Sequence, residues 1–367
     1  MTSTNEILEL MSNSILRSIA DEVRRRKLFA VLVDETADIC RREQLCITVR
    51  TVREDFEAEE MVLGLYALDQ CDAQTITNSI LDVFRRLVLK VQDLRGQCYD
   101  GAAVMSGAKA GVAAKILELE DRALFTHCKM HSLNLAVQDC VCTVPALRDF
   151  LHFVQELITF LRDSPKRCST VKQVAESVEC AQTNIRPLCP TRFTLRFRAL
   201  DGVKNQLRIL PDVLDQIGNT SSDFKVKSTV SGFQRQLCQF EFYFCLTVSL
   251  KIFEKTDVLS KELQKMQVSC GEAISMTSVV RQDFLKMRNE DFFRTLWSDS
   301  LKLAVRMNAD EPRVPRLRRS SPARYDEGAP QEEITAEQHY RRIFYECMDL
   351  ICERLRVRIE DRVLSCS

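Results

Sequence analysis

Two aspartates close apolar segments and could share a metal ion. Asp34 follows the six-residue apolar run Leu28–Val33 in "LFAVLVDETADI", and Asp100 follows the short strand-like run in "LRGQCYDG" (94–101). Two carboxylates brought to one sheet edge repel, and one pKa rises unless a divalent cation sits between them. Mg²⁺ or Mn²⁺ suits such oxygen donors. A pair of ions roughly 3.5–4 Å apart can activate water and stabilise the leaving oxygen of a phosphodiester. That chemistry calls for a third carboxylate. Taken singly, Asp34 also reads as a turn or cap residue in "DETAD", and Asp100 as the Asp of an Asp-Gly turn.

Two further groups carry chemically useful side chains. "THCKMHSLNL" sets Cys128 and His131 in a CxxH, with His127, Cys140 and Cys142 close by in sequence. Zinc takes four such ligands. The alternative is that His131 opens a helix, hydrogen-bonds locally and helps to pack the fold. "CPTRFTLRFRAL" sets Arg192, Arg196 and Arg198 beside Phe193 and Phe197. Arginines among aromatics suit phosphate contacts and base stacking, and equally suit the start of a helix with one apolar face.

The elements that must position these residues follow from periodicity. Ile7, Met11, Ile15, Ile19 and Val23 predict a helix over 4–27 that ends in the cations of "RRRK". The continuous run 28–33 predicts a central strand covered on both faces. In 45–52, Leu45, Ile47 and Val49 alternate with Cys46, Thr48 and Arg50, a strand with one drier face. A third strand is expected over 61–68, and the short connections suggest an antiparallel meander. A helix over 74–91, a strand over 94–101, a helix over 107–120, a strand over 123–128 and a helix over 131–142 complete a mixed α/β order. Three strands followed by alternating strands and helices point, by fold analogy, to a ribonuclease-H-like sheet. There the first and fourth strands are neighbours, which would bring Asp34 to Asp100.

From Pro145 onward helical patterns dominate, over 146–179, 193–217 and 229–305, with a last helix from about Ala336. The stretch 312–325 holds three prolines, five arginines and no acid, and reads as an exposed loop. Such a run could touch phosphate or act as a nuclear import signal.

Composition sets outer bounds. In 367 residues, 52 basic side chains cancel 52 acidic ones, so net charge offers no argument for nucleic acid and leaves room for a local basic patch. With 45% apolar residues, a sizeable core is available. The 16 cysteines are scattered through apolar runs rather than spaced as a disulfide framework, and the N-terminus is polar. The expectation is an intracellular protein with reduced thiols and no membrane span.

Four motifs together resemble the hAT superfamily of DNA transposases, in particular the group related to zinc finger MYM-type proteins. They are "VDETADICRREQLCITVRTV" (33–52), "RGQCYDGAAVMSG" (95–107), "HCKMHSLNLAV" (127–137) and "PTRF" (190–193). Weaker similarity continues through 254–264 and 337–355. The resemblance implies a ribonuclease-H-like catalytic domain interrupted by a long helical insertion, with an Asp-Asp-Glu triad and divalent metal that cut and join DNA. Asp34 matches the first acid and Asp100 the second. Cys128 and His131 match the CxxH pair. Arg192-Phe193 matches an Arg-Trp pair whose aromatic stacks on a base. The implied division is an N-terminal helix (1–27), a ribonuclease-H-like core (28–195) and a helical insertion (196–367).

The departures shape the functional expectation. Phe193 replaces Trp, and no residue matches the catalytic Glu; Glu346 and Glu353 lie in segments that resemble insertion helices. The zinc-binding DNA-recognition module and the dimerisation segment of the family find no match. The expectation is therefore a transposase-derived, domesticated or truncated chain without catalytic activity and without a cofactor. It would bind DNA, or proteins through its helical insertion, and the resemblance places it in the nucleus. The first alternative is an active metal-dependent transposase or nuclease, using Mg²⁺ or Mn²⁺, with an unplaced third acid. The second is a helical protein-interaction scaffold.

Overall fold

The computed structural model describes residues 3–37, 40, 42–178, 194–265, 267–314 and 334–361. The chain divides into two compact units. The first comprises Met1–Leu133, Glu262–Ile274 and Ile359–Ser367; the second comprises Asn134–Lys261 and Ser275–Arg358. The fold class agrees with expectation: a mixed five-stranded sheet with flanking helices, then a helical region.

The first unit is built on the sheet β3-β2-β1-β4-β5. Its strands are β1 (Phe29–Ala37), β2 (Glu43–Val52), β3 (Ala58–Ala67), β4 (Leu94–Tyr99) and β5 (Leu124–His127). β1, β2 and β3 form the antiparallel meander, while β4 runs parallel to β1 and β5 parallel to β4. Alternation decides which side chains are buried. Phe29, Val31 and Val33 of β1 and Leu45, Ile47 and Val49 of β2 share one dry face. That face belongs to one core with Ile76, Ile80, Val83 and Phe84 of α2 (Ala73–Arg86) and Val112, Ala113 and Ile116 of α4 (Val112–Leu119). Phe84 meets Phe29 edge-on at 5.4 Å between centroids. Each fully buried side chain of this size contributes about 1.5–3 kcal/mol relative to exposure. Buried Gln97 donates through Nε2 to the carbonyls of Ala113 and Ala123, at 3.1 and 3.0 Å, and so ties β4 to α4 and to the approach to β5.

Several boundaries differ from expectation. β1 does not stop at Asp34; its ladder with β2 continues to Ala37 opposite Glu43. Nor is β1 covered equally on both faces. Ala30 and Leu32 are only half-buried, because they line a cavity rather than a packed layer. The helix α1 (Ser3–Arg26) forms as expected, but only the end of its apolar stripe is used: Val23 is buried while Ile7, Met11 and Ile15 are exposed. The helix expected over 74–91 ends at Arg86. Leu89 N–H reaches the Phe84 carbonyl and Val88 N–H the Arg85 carbonyl, which is the Schellman pattern, with Val88 in the left-handed region at φ 56°. The helix expected over 107–120 forms only from Val112, as α4, and an unexpected single turn, α3 (Ala103–Ser106), precedes it. Between them the backbone folds so closely that a Cβ on Gly107 would lie 2.5 Å from the Ala103 carbonyl oxygen.

The second unit is helical in all its described regular structure. It contains most of α5 (Lys129–Thr143), then α6 (Pro145–Arg162), α7 (Pro165–Ser177), α8 (Thr194–Gln206), α9 (Leu210–Thr220), α10 (Phe224–Leu237) and α11 (Phe240–Leu263). Most of α12 (Cys270–Met287), then α13 (Glu290–Arg306) and α14 (Ala336–Leu355), follow. Each long helical stretch is cut by a local signal. Pro165 opens α7, since proline removes a donor and suits a first turn. Asp223 caps α10 and Asn289 caps α13, each accepting a backbone N–H. Thr335 and Gln338 form a capping box on α14. Phe240, Phe244, Trp297 and Tyr340 pack as a ring cluster, with centroids 4.8–5.6 Å apart across the Phe240–Trp297, Phe244–Tyr340 and Trp297–Tyr340 pairs. Of the expected arginine-rich loop at 312–325, residues 315–325 lie outside the described residues.

Candidate functional site

Asp34 sits within β1, opposite Cys46 of β2. On its other flank the parallel ladder with β4 ends at Leu32 opposite Cys98. Two residues farther along the chain from each come Asp34 and Asp100, past the last paired residues of that ladder. The electrostatics link them. Lost hydration comes first and the Asp100 charge second in holding the Asp34 carboxyl above the ordinary aspartate range. His131 pulls in the opposite direction, as does a backbone hydrogen bond from Glu35. The Asp34 side chain still reaches solvent, while the protein around it removes part of its hydration shell.

Glu35 belongs to the same acidic edge. Its carboxyl is also raised, by lost hydration first and then by Asp100, Glu43 and Asp34. Sequence spacing did not single it out, because successive strand residues face opposite ways and only the end of β4 brings Asp100 near both. Asp100 combines two roles: its Oδ1 accepts the Ala102 N–H at 3.0 Å, the turn function its Asp-Gly context suggests, while its charge acts on Asp34.

Divalent metal does not find a closed cradle in this donor set. Among the described residues, no group of three or more His, Cys, Asp or Glu side chains is arranged to hold an ion. Of the two glutamates weighed for the third position, Glu353 is engaged by Arg356 at 2.9 Å, which holds its carboxyl below the usual range. Glu346 is exposed on α14. No reaction step is therefore routed through a metal.

The CxxH residues act at the start of α5. Cys128 immediately precedes the helix, and its sulfur accepts a hydrogen bond from the Cys98 thiol and from the backbone N–H groups of His131 and Met130. Those contacts, the Cys98 bond foremost, lower its pKa against the opposing effect of burial. An acceptor at this position satisfies N–H groups that have no partner within the helix. Cys140, weighed as a zinc ligand, donates its thiol to the Cys347 carbonyl at 3.4 Å, and burial pushes its pKa up to about 12. Zinc requires thiolate, so that side chain suits packing better. Arg192 and Phe193 lie outside the described residues. Arg196 is buried at 6% exposure, so it offers no surface for phosphate, whereas Arg198 is exposed.

Residues 1–111 match the family DUF4371, described as "ZMYM1/FAM200, RNase-like domain". That range runs from α1 through the helical turn after β4 and holds both aspartates. The mixed sheet fits an RNase-like domain. The chain is also 22% identical over 351 residues to the proteins named "52 kDa repressor of the inhibitor of the protein kinase" of Mus musculus and Homo sapiens. Those matches cover 93% of this chain and 45% of each relative, so the chain spans about half the length of the curated relatives it matches. Among the described residues, no helix is long and apolar enough to cross a membrane.

Proposed function

We propose that this is a transposase-derived chain of the hAT type whose ribonuclease-H-like unit binds rather than cuts. Its ligand is nucleic acid, with protein partners engaged through the helical region, and its compartment is the nucleus. One observation carries the reading: the charge of Asp100 acts on Asp34 where β4 ends beside β1, yet among the described residues no group of three or more His, Cys, Asp or Glu side chains is arranged to hold an ion. Two carboxylates without further donors hold a divalent cation weakly, and the cut of a phosphodiester needs that cation well placed. The relatives' printed name, a repressor, supports a regulatory role over a cutting one.

A mobility-shift titration of duplex DNA across a range of salt tests this. The expected result is binding that weakens steeply as salt rises, the signature of phosphate contacts, with no cleavage product when Mg²⁺ or Mn²⁺ is added. No DNA binding together with a stable protein partner would replace the reading with the interaction scaffold. A second reading, the active enzyme, draws support from the raised Asp34 carboxyl, because Asp100 repulsion is what a bridging cation relieves. It requires a third carboxylate from outside the described residues, and metal-dependent cleavage would establish it.

A further inference from the structure

The helix α1 carries two apolar faces, and the first unit uses one of them. In its C-terminal half, Leu16, Ile19 and Val23 pack into the core of the sheet. In its N-terminal half, Ile7, Leu8, Met11 and Ile15 are spaced as one stripe of a helix. At 3.6 residues per turn, that stripe points about a quarter turn away from the core face. It therefore cannot share the same packing. All four side chains are 57–60% exposed. Single exposed apolar residues are ordinary, but a contiguous row of them marks an interaction surface.

The charges beside the stripe say what covers it. Glu6 and Arg17 lie along one flank, with Leu10 between them, and both are exposed. They are eleven residues apart, which is about three turns, so they sit one above the other. A second α1 laid antiparallel about a two-fold axis brings that flank against its own copy. One register then sets Glu6 of each copy opposite Arg17 of the other. The same register sets Leu8 opposite Ile15 and leaves Met11 next to the axis. Parallel helices would instead oppose Glu6 to Glu6 and Arg17 to Arg17, like against like. The face is thus complementary to itself in one orientation.

We propose that this face is a self-association surface, through which two copies of the chain pair by antiparallel α1 helices. Ile7, Leu8, Met11 and Ile15 form the seam, and two Glu6–Arg17 pairs close its ends. The seam supplies the affinity, while the exposed charge pairs choose orientation and register. Three turns of helix from each copy lie near the roughly 1,000 Å² at which specific interfaces begin. The pairing is accordingly reversible and depends on concentration. It involves neither Asp34 nor Asp100 and is independent of the DNA binding proposed above.

Sedimentation equilibrium of the full wild-type chain at low salt tests this. The expected average mass rises with concentration from one chain to two and goes no higher. Ile7→Glu combined with Met11→Glu puts four carboxylates into the seam and should weaken association by at least roughly a hundredfold. The substituted side chains are exposed in the single chain, so circular dichroism should be unchanged. Glu6→Arg and Arg17→Glu, made singly, should each weaken association by about tenfold. Made together in one chain, they should restore it, because the pairs re-form with their signs exchanged. A wild-type chain that stays single at every concentration overturns the proposal and leaves the face to a different protein. A dimer that survives the seam substitutions overturns it too. Single reversals without effect, or a double reversal that fails to restore association, overturn the antiparallel arrangement.

Discussion

Asp34 ionises against lost hydration and against Asp100, so its folded-state pKa lies above its unfolded one. The folded chain then keeps a proton that the unfolded chain has released. The resulting stability is full below the unfolded value, about 3.9, and is lost as pH rises through the folded value. Asp34→Asn should therefore raise the melting temperature at pH 7 and leave it unchanged near pH 3. The gain should stay under about 1 kcal/mol, because the carboxyl reaches solvent. Asp100→Asn should lower the Asp34 midpoint, followed by carboxyl-carbon NMR, without restoring the ordinary value, since lost hydration is the larger cause. A midpoint unmoved by that change would mean that the two carboxylates do not interact. The acid at the end of an apolar run was legible in the sequence, as was its distant partner. Glu35 and the Cys98–Cys128 contact were not, because each depends on where β4 ends and how β5 aligns beside it.

Among the elements, α2 shows how a boundary escapes periodicity. Ile76, Ile80, Phe84, Leu87 and Val91 keep a helical spacing, and nothing in it announces a stop at Arg86. The usual signal would be glycine at the left-handed position, yet Val88 occupies it at φ 56°. A β-branched residue there costs about 1–2 kcal/mol. Val88 is 67% exposed, so little packing depends on its side chain. Val88→Gly should accordingly stabilise the first unit by about 1 kcal/mol, part of the relief being offset by the greater freedom of glycine in the unfolded chain. Urea unfolding measures this, and destabilisation would show that the Val88 side chain contributes more than its exposure implies. The β1–β2 hairpin teaches a related lesson: turn-like residues in "DETAD" suggested that the strand ended at Asp34, while pairing with β2 carries it to Ala37.

For the whole molecule, the alternation of strands and helices sufficed to give the fold class, because three neighbouring strands leave few ways to add two parallel ones. Each unit has its own core. Phe84→Ala in the first and Phe344→Ala in the second remove side chains that are at most 1% exposed, and each should cost about 3–5 kcal/mol. Hydrogen exchange should place the Phe84 effect in α2 and the sheet, and the Phe344 effect in α13 and α14. Protection lost evenly over both units in either variant would contradict separate cores. Function is harder to read at this scale, because the chain spans about half of the relatives it matches and shares 22% of its residues with them. The central claim is that the paired aspartates no longer cut. Its most direct test is Mn²⁺-supported nicking of DNA by the wild-type chain, Asp34→Ala and Asp100→Ala. The account predicts no product above background from any of the three. Nicking by the wild type that disappears in both variants would contradict it.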